Sequence, residues 1–184
     1  MGRRLLLLGP PGAGKGTQAE LLSKALGIPH ISTGAMLRDH VARDTALGRR
    51  AKAIMDAGDL VSDEIVVGIV EQRLGATDAT CGYLLDGFPR NVAQAEALER
   101  VVGAGAFDAI VLIEVPEAEL VSRALARGRS DDTAETVANR FSVYRGQTEP
   151  LVAYYRGSDR PVLPVNGVGE IGEVLSRIVA VLAS

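Results

Sequence analysis

The sequence predicts an α/β fold of three layers, α/β/α, around a central five-stranded parallel sheet. Three observations carry this. Apolar runs at residues 5–8, 82–85 and 109–115 lack period-two alternation, as strands buried on both faces do. Segments with helical composition alternate with those runs. The first run leads straight through a glycine-rich turn into a helix, the strand–turn–helix order of a parallel unit. A chain of 184 residues buries roughly 70% of the surface its unfolded form exposes, enough for one domain, residues 1–184, with small insertions.

Taken in order, Leu5 to Leu8 are four leucines and read as the first strand. Residues 18–26 form a helix closed by Gly27. Residues 28–32 make the second strand, ending in the cap candidates Ser32 and Thr33. Two helices in succession, 34–43 and 46–57, then break the strand–helix alternation, so 33–61 is an insertion at the carboxyl edge of the sheet, where such sheets bind ligands. A helix follows to Leu74 with Ile65, Val66, Ile69 and Val70 as its apolar stripe, then the third strand and a helix over 91–102. The run 109–115 is apolar except for Glu114, and Pro116 opens the next helix, where its missing N–H costs nothing. Gly128 ends that helix, and Asp132 and Glu135 have capping-box spacing for the one after it. Pro150 is expected to kink or restart this helix before Tyr154 and Tyr155. Residues 161–165 form the last strand, 166–169 a loop and 171–182 the closing helix.

The chemistry begins in Gly9-Pro10-Pro11-Gly12-Ala13-Gly14-Lys15-Gly16-Thr17. Glycines at 9, 12, 14 and 16 are expected to remove β-carbons that would hold a phosphate away, letting backbone N–H groups converge on an anion at the positive end of the helix dipole. Lys15 adds a mobile positive charge for the outer phosphates of a nucleotide. Asp86, closing the apolar run 82–85, matches the carboxylate that attracts Mg²⁺ and its waters beside such a loop. Arg38, Arg90, Arg123, Arg127, Arg129 and Arg140 all fall at loops or helix faces directed to that end of the sheet. Arginine grips phosphate with paired hydrogen bonds, so six such residues in an acidic chain point to a polyphosphate cleft.

These motifs resemble the adenylate kinases over nearly the whole chain. Gly9 to Thr17 fits that family's loop, with Gly16 where the generic motif has Ser or Thr. Ser32-Thr33-Gly34-Ala35-Met36-Leu37-Arg38 and Met55-Asp56-Ala57-Gly58-Asp59-Leu60-Val61 look like its two monophosphate-pocket walls, and Asp86-Gly87-Phe88-Pro89-Arg90 with Gln94 is its signature. The resemblance implies MgATP + AMP to 2 ADP by direct in-line transfer, with 33–61 as the AMP-binding insertion and 127–133 as a very short lid.

It further implies ATP at Gly12, Ala13, Gly14, Lys15, Gly16, Thr17, Arg123, Arg127 and Gly169, with Arg123 stacked on the adenine. AMP falls to Thr33, Gly34, Arg38, Met55, Asp59, Val61, Gly87, Arg90, Gln94, Arg129 and Arg140. Lys15, Arg90, Arg127, Arg129 and Arg140 carry catalysis, Asp86 holds Mg²⁺ through water, and Asp131 and Asp132 orient the lid arginines. Segment 33–61 is expected to close over the substrates, since an open site would let water compete. Two departures stand out. Ala35 replaces a commonly acidic residue, removing that carboxylate from the Mg²⁺ water network, and the short lid lacks zinc-binding cysteines.

The composition narrows the partners. A net charge of -3 with 23% charged residues offers no nucleic-acid or membrane surface. One cysteine, Cys81, and two histidines form neither a disulfide nor a zinc cluster. The leucine run is too short to span a bilayer, so cytoplasmic residence is expected, and with no surplus apolar stripe a monomer acting on small molecules is the simplest expectation. Two other functions compete. A UMP/CMP kinase of the same fold tends to carry alanine at the Thr33 position and asparagine at the Gln94 position, so both residues here favour AMP. A nucleotide switch would need a guanine-reading Asn-Lys-x-Asp and an Asp-x-x-Gly after the second motif, and both are missing.

Overall fold

The computed structural model describes residues 3–103, 105–126, 128 and 132–184. Strands β1 (Arg4–Leu8), β2 (His30–Ser32), β3 (Tyr83–Asp86), β4 (Ala109–Glu114) and β5 (Val162–Asn166) form one sheet in the order β2-β3-β1-β4-β5. Every pairing is parallel. The α-helices are α1 (Lys15–Leu26), α2 (Thr33–Ala42), α3 (Ala46–Ala57), α4 (Asp63–Leu74), α5 (Val92–Val102), α6 (Glu117–Ala126), α7 (Ala134–Val143), α8 (Pro150–Arg156) and α9 (Ile171–Ala183).

The leucines of β1 show why the strand has no alternation. Leu6 and Leu8 join Ile31, Leu85, Ile110 and Leu112 on one face of the sheet, packed against Val66 and Val70 of α4, Leu98 of α5 and Leu151 and Tyr155 of α8. Leu5 and Leu7 join Leu84, Val111 and Ile113 on the other, against Leu22 of α1, Leu120 of α6, Phe141 of α7 and Ile178 of α9. Alternate residues point to opposite faces, and both faces are covered, so every position must be apolar.

The chain leaves β1 toward β2 and leaves β4 toward β5, so a crevice opens at the carboxyl ends of the central strands. Strand register places Leu7 beside both Asp86 and Val111, which brings the glycine turn after β1 next to the end of β3.

Several local expectations change. β2 is shorter, starting at His30, because Pro29 has no N–H; its carbonyl still accepts from Leu84 N at 2.9 Å. Pro164 sits inside β5, which the edge position of that strand tolerates. The capping box of Asp132 and Glu135 does not form. Thr133 is the cap, its hydroxyl accepting from Thr136 N at 3.1 Å, while Asp132 turns to Arg140 at 2.8 Å. Pro150 does restart the helix. Unable to donate to the carbonyl four residues back, it follows a π-helical turn, Tyr144–Thr148, in which Glu149 N bonds Tyr144 O at 2.8 Å.

Candidate active site

Beyond Leu8 the backbone turns through Gly9 and Gly12, both at positive φ. A β-carbon on Gly9 would stand 2.6 Å from the Ile113 carbonyl oxygen, and one on Gly12 closer still to that of Leu120. The bare α-carbons at these two positions therefore make room for the protein's own backbone, wedging the loop between β4 and α6, a role additional to the expected clearing of space for a phosphate. Gly14 begins α1 without any side-chain cap, and the first turn of that helix carries no acidic residue. Its leading N–H groups and positive dipole end consequently face the cleft, the arrangement that binds an anion. The Lys15 ammonium is held at this loop by the carbonyls of Gly9, at 2.7 Å, and Pro10, at 2.9 Å.

Asp86 lies against the same turn, its Oδ2 3.6 Å from where a side chain on Gly16 would begin. Ser32 Oγ donates to that oxygen at 3.4 Å, and His30 Nε2 lies 3.4 Å from it, within ion-pair reach though outside hydrogen-bond alignment. Burial pushes the Asp86 carboxyl up, but His30 and the charges of Lys15 and Arg90 outweigh it and hold the group below the usual carboxylate range.

The opposite half of the cleft is built from side chains. Thr33 Oγ1 donates to Gly87 O at 2.7 Å, and Arg90 Nε donates to the same carbonyl at 2.8 Å. Gln94 accepts from Arg90 N at 2.7 Å and donates to Asp63 Oδ1 at 2.7 Å, while Asn91 Nδ2 donates to that oxygen at 3.0 Å and Asn91 Oδ1 caps α5 at Gln94 N. Burial lowers the pKa of Arg90; Asp86 opposes this, while the like charges of Arg140 and Arg38 add to it. Three guanidinium groups thus share one electrostatic environment, an arrangement that costs stability and suits a polyanion. Arg140 is itself gripped by Asp132 at 2.8 Å. At the far side, Arg123 donates to Gly167 O at 3.0 Å and pairs with Glu119.

One cleft of about 820 Å³ opens at this end of the sheet. Of the residues singled out in the sequence, Gly12 to Thr17, Thr33, Gly34, Arg38, Met55, Asp59, Val61, Asp86, Gly87, Arg90, Gln94, Arg123, Arg140 and Gly169 all line it. Arg127, Arg129 and Asp131 lie outside the described residues. Sequence reasoning missed Asp63, whose carboxylate seats Asn91 and Gln94, and His30 beside Asp86. It also missed Tyr144 and Thr148, which border the cleft. The signal for these two was Pro150, whose missing N–H is accommodated by the π turn Tyr144–Thr148 that holds both. Among the described residues no three His, Cys, Asp or Glu side chains gather as a metal cluster.

A family model described as adenylate kinase matches residues 7–160. The chain is similar to proteins named adenylate kinase from Nocardia farcinica, 51% identical over 97% of this chain and 98% of the relative, and from Stenotrophomonas maltophilia strain K279a, 49% identical over 97% and 98%. A third, from Synechococcus sp. strain WH7803, is 48% identical over the whole of both chains. A parallel α/β sheet with an uncapped glycine loop at its centre, matched by that model and by full-length relatives, places this chain in the adenylate kinase family of nucleoside monophosphate kinases.

Proposed function

We propose that this chain catalyses the reversible Mg²⁺-dependent transfer ATP + AMP to 2 ADP, and that the residues lining the cleft divide the work. The observation that carries this reading is a single cleft with main-chain amides and Lys15 at one end and Arg38, Arg90 and Arg140 at the other. The loop from Gly12 to Thr17 binds the ATP phosphates, Arg123 stacks on the adenine and Gly169 passes the base. Arg38 and Arg90 hold the AMP phosphate, with Thr33, Gly34, Met55, Asp59, Val61, Gly87 and Gln94 around the nucleoside. Segment 33–61 is the monophosphate-binding part. The short lid, 127–133, supplies Arg127 and Arg129 alongside Arg140.

An oxygen of the AMP phosphate attacks the terminal phosphorus of ATP, and the bond from that phosphorus to the bridging oxygen breaks in line, leaving ADP on both sides. No protein nucleophile is required. Lys15 and the arginines stabilise charge on the moving group, and Asp132 keeps Arg140 oriented.

An ionised carboxylate at the mouth of the loop, Asp86, without a further acidic cluster among the described residues, fits Mg²⁺ held mainly by waters and substrate phosphates. When bound, that ion neutralises phosphate charge. We further take the protein to be a cytoplasmic monomer acting on small molecules; among the described residues no helix is long and apolar enough to cross a membrane. The UMP/CMP kinase alternative is not favoured by the relatives' names.

The test is a bisubstrate mimic, two adenosines joined by five phosphates, added to a coupled assay run with each nucleoside monophosphate, with and without Mg²⁺. The mimic should compete with ATP and with AMP, and AMP should be the fastest acceptor. Competition with one nucleotide only, or faster turnover of CMP or UMP, overturns the reading.

A further inference from the structure

Helix α3 ends at Gly58, and the fate of its last carbonyls can be followed one by one. Asp59 N bonds Ile54 O and Gly58 N bonds Met55 O, both at 3.0 Å, with Gly58 at φ 85, the Schellman pattern. The remaining two have no partner within the helix. Both are taken by α7: Thr136 Oγ1 donates to Asp56 O at 2.9 Å, and Asn139 Nδ2 donates to Ala57 O at 2.9 Å. Asn139 Nδ2 also reaches Asp59 Oδ1 at 2.8 Å. The fit is close, for a β-carbon on Gly58 would stand 2.9 Å from Thr136 O.

Thr136, Asn139 and Arg140 are spaced i, i+3, i+4 and so share one face of α7. That face therefore caps α3 and sends a guanidinium into the cleft. We infer that Asn139 is a positioning residue for the monophosphate pocket, holding the α3 terminus that bears Met55, Asp59 and Val61 at a fixed distance from Arg140. This rests on the assignment of AMP to that half of the cleft.

The chemistry of the contact specifies the test. Ala57 O and Asp59 are both acceptors, so residue 139 must donate. Asn139→Ala removes the donor, Asn139→Asp sets acceptors and a like charge against them, and Asn139→Lys restores a donor able to reach both. Steady-state kinetics on full-length protein, with each nucleotide varied in turn, should show KM for AMP raised about 5- to 10-fold in Asn139→Ala and further in Asn139→Asp. KM for ATP should stay within about twofold, and Asn139→Lys should return KM for AMP to near the wild-type value.

An unchanged KM for AMP in all variants overturns the inference, as does a parallel rise in both KM values, which marks general loosening. Equal defects in the Asp and Lys variants also overturn it, because donation would then be irrelevant. Should wild-type protein fail to phosphorylate AMP from ATP at all, the functional assignment itself fails and the inference falls with it; that outcome is separated from the others by the wild-type control.

Discussion

The two halves of the cleft are built by different means. Around Lys15, consecutive residues supply main-chain N–H groups, and the loop is wedged by close approaches of Gly9 to Ile113 O and of Gly12 to the Leu120 carbonyl. On the other side, side chains from α2, the end of α3, the turn after β3 and α7 converge, and they include the guanidiniums of Arg38, Arg90 and Arg140. A main-chain site forms whenever the fold forms. A side-chain site spends stability to hold like charges together, so fold and activity can be separated there.

The largest expected effects test that separation. Lys15→Met should cut kcat/KM at least about 100-fold, the scale of a lost phosphate or oxyanion clamp. Arg90→Met should cost as much activity, yet its Tm should hold or rise, since the substitution removes a buried charge disfavoured by its surroundings and by Arg38 and Arg140. A clear loss of Tm in Arg90→Met, followed by calorimetry, would erase the contrast.

Next comes Gly12→Ala, which should act through the fold. Its β-carbon meets backbone at φ 82, and the variant should lose about 3 kcal/mol or more, a Tm drop of roughly 6–12 °C. A Tm within 2 °C or so of wild type would show that the loop is not wedged. Arg123→Ala should raise KM for ATP about 10-fold and leave KM for AMP alone, because stacking is ground-state binding. An effect confined to AMP would place Arg123 in the wrong half.

The smallest effect is a pH signature. The folded-state pKa of Asp86 is depressed, so between the folded and unfolded values the unfolded chain binds more protons and stability rises with pH. Its contribution is whole above the unfolded value, about 3.9, and is lost as pH falls through the folded one. The Tm of wild type should exceed that of Asp86→Asn at neutral pH, with the gap narrowing below about pH 4. A gap that widens on acidification contradicts the assignment.

Much of the fold could be read from neighbours in sequence. The unalternating leucines of β1 required two covered faces, and the structure divides them between two cores. The exact span of α3 and its stop at Gly58 followed from composition and a glycine. The boundary errors have local competitors: Pro29 shortened β2, and Thr133 displaced Asp132 as a cap because its hydroxyl reaches Thr136 N while Asp132 engages Arg140. Asp63 opens α4 and also anchors Gln94, 31 residues away, a pairing with no periodic signal.

By itself, then, the sequence determined the strand–loop–helix at Lys15 and the family, since the conformations of a glycine turn, an apolar strand and a capped helix are fixed largely by adjacent residues. Only the tertiary structure decided which distant groups meet. Gly12 presses on α6, Asp63 seats Gln94, and Asn139 caps α3 from 82 residues away. Such pairings depend on how helices pack across a sheet, and packing satisfies orphaned carbonyls and buried charges with whatever donors the geometry brings within about 3 Å.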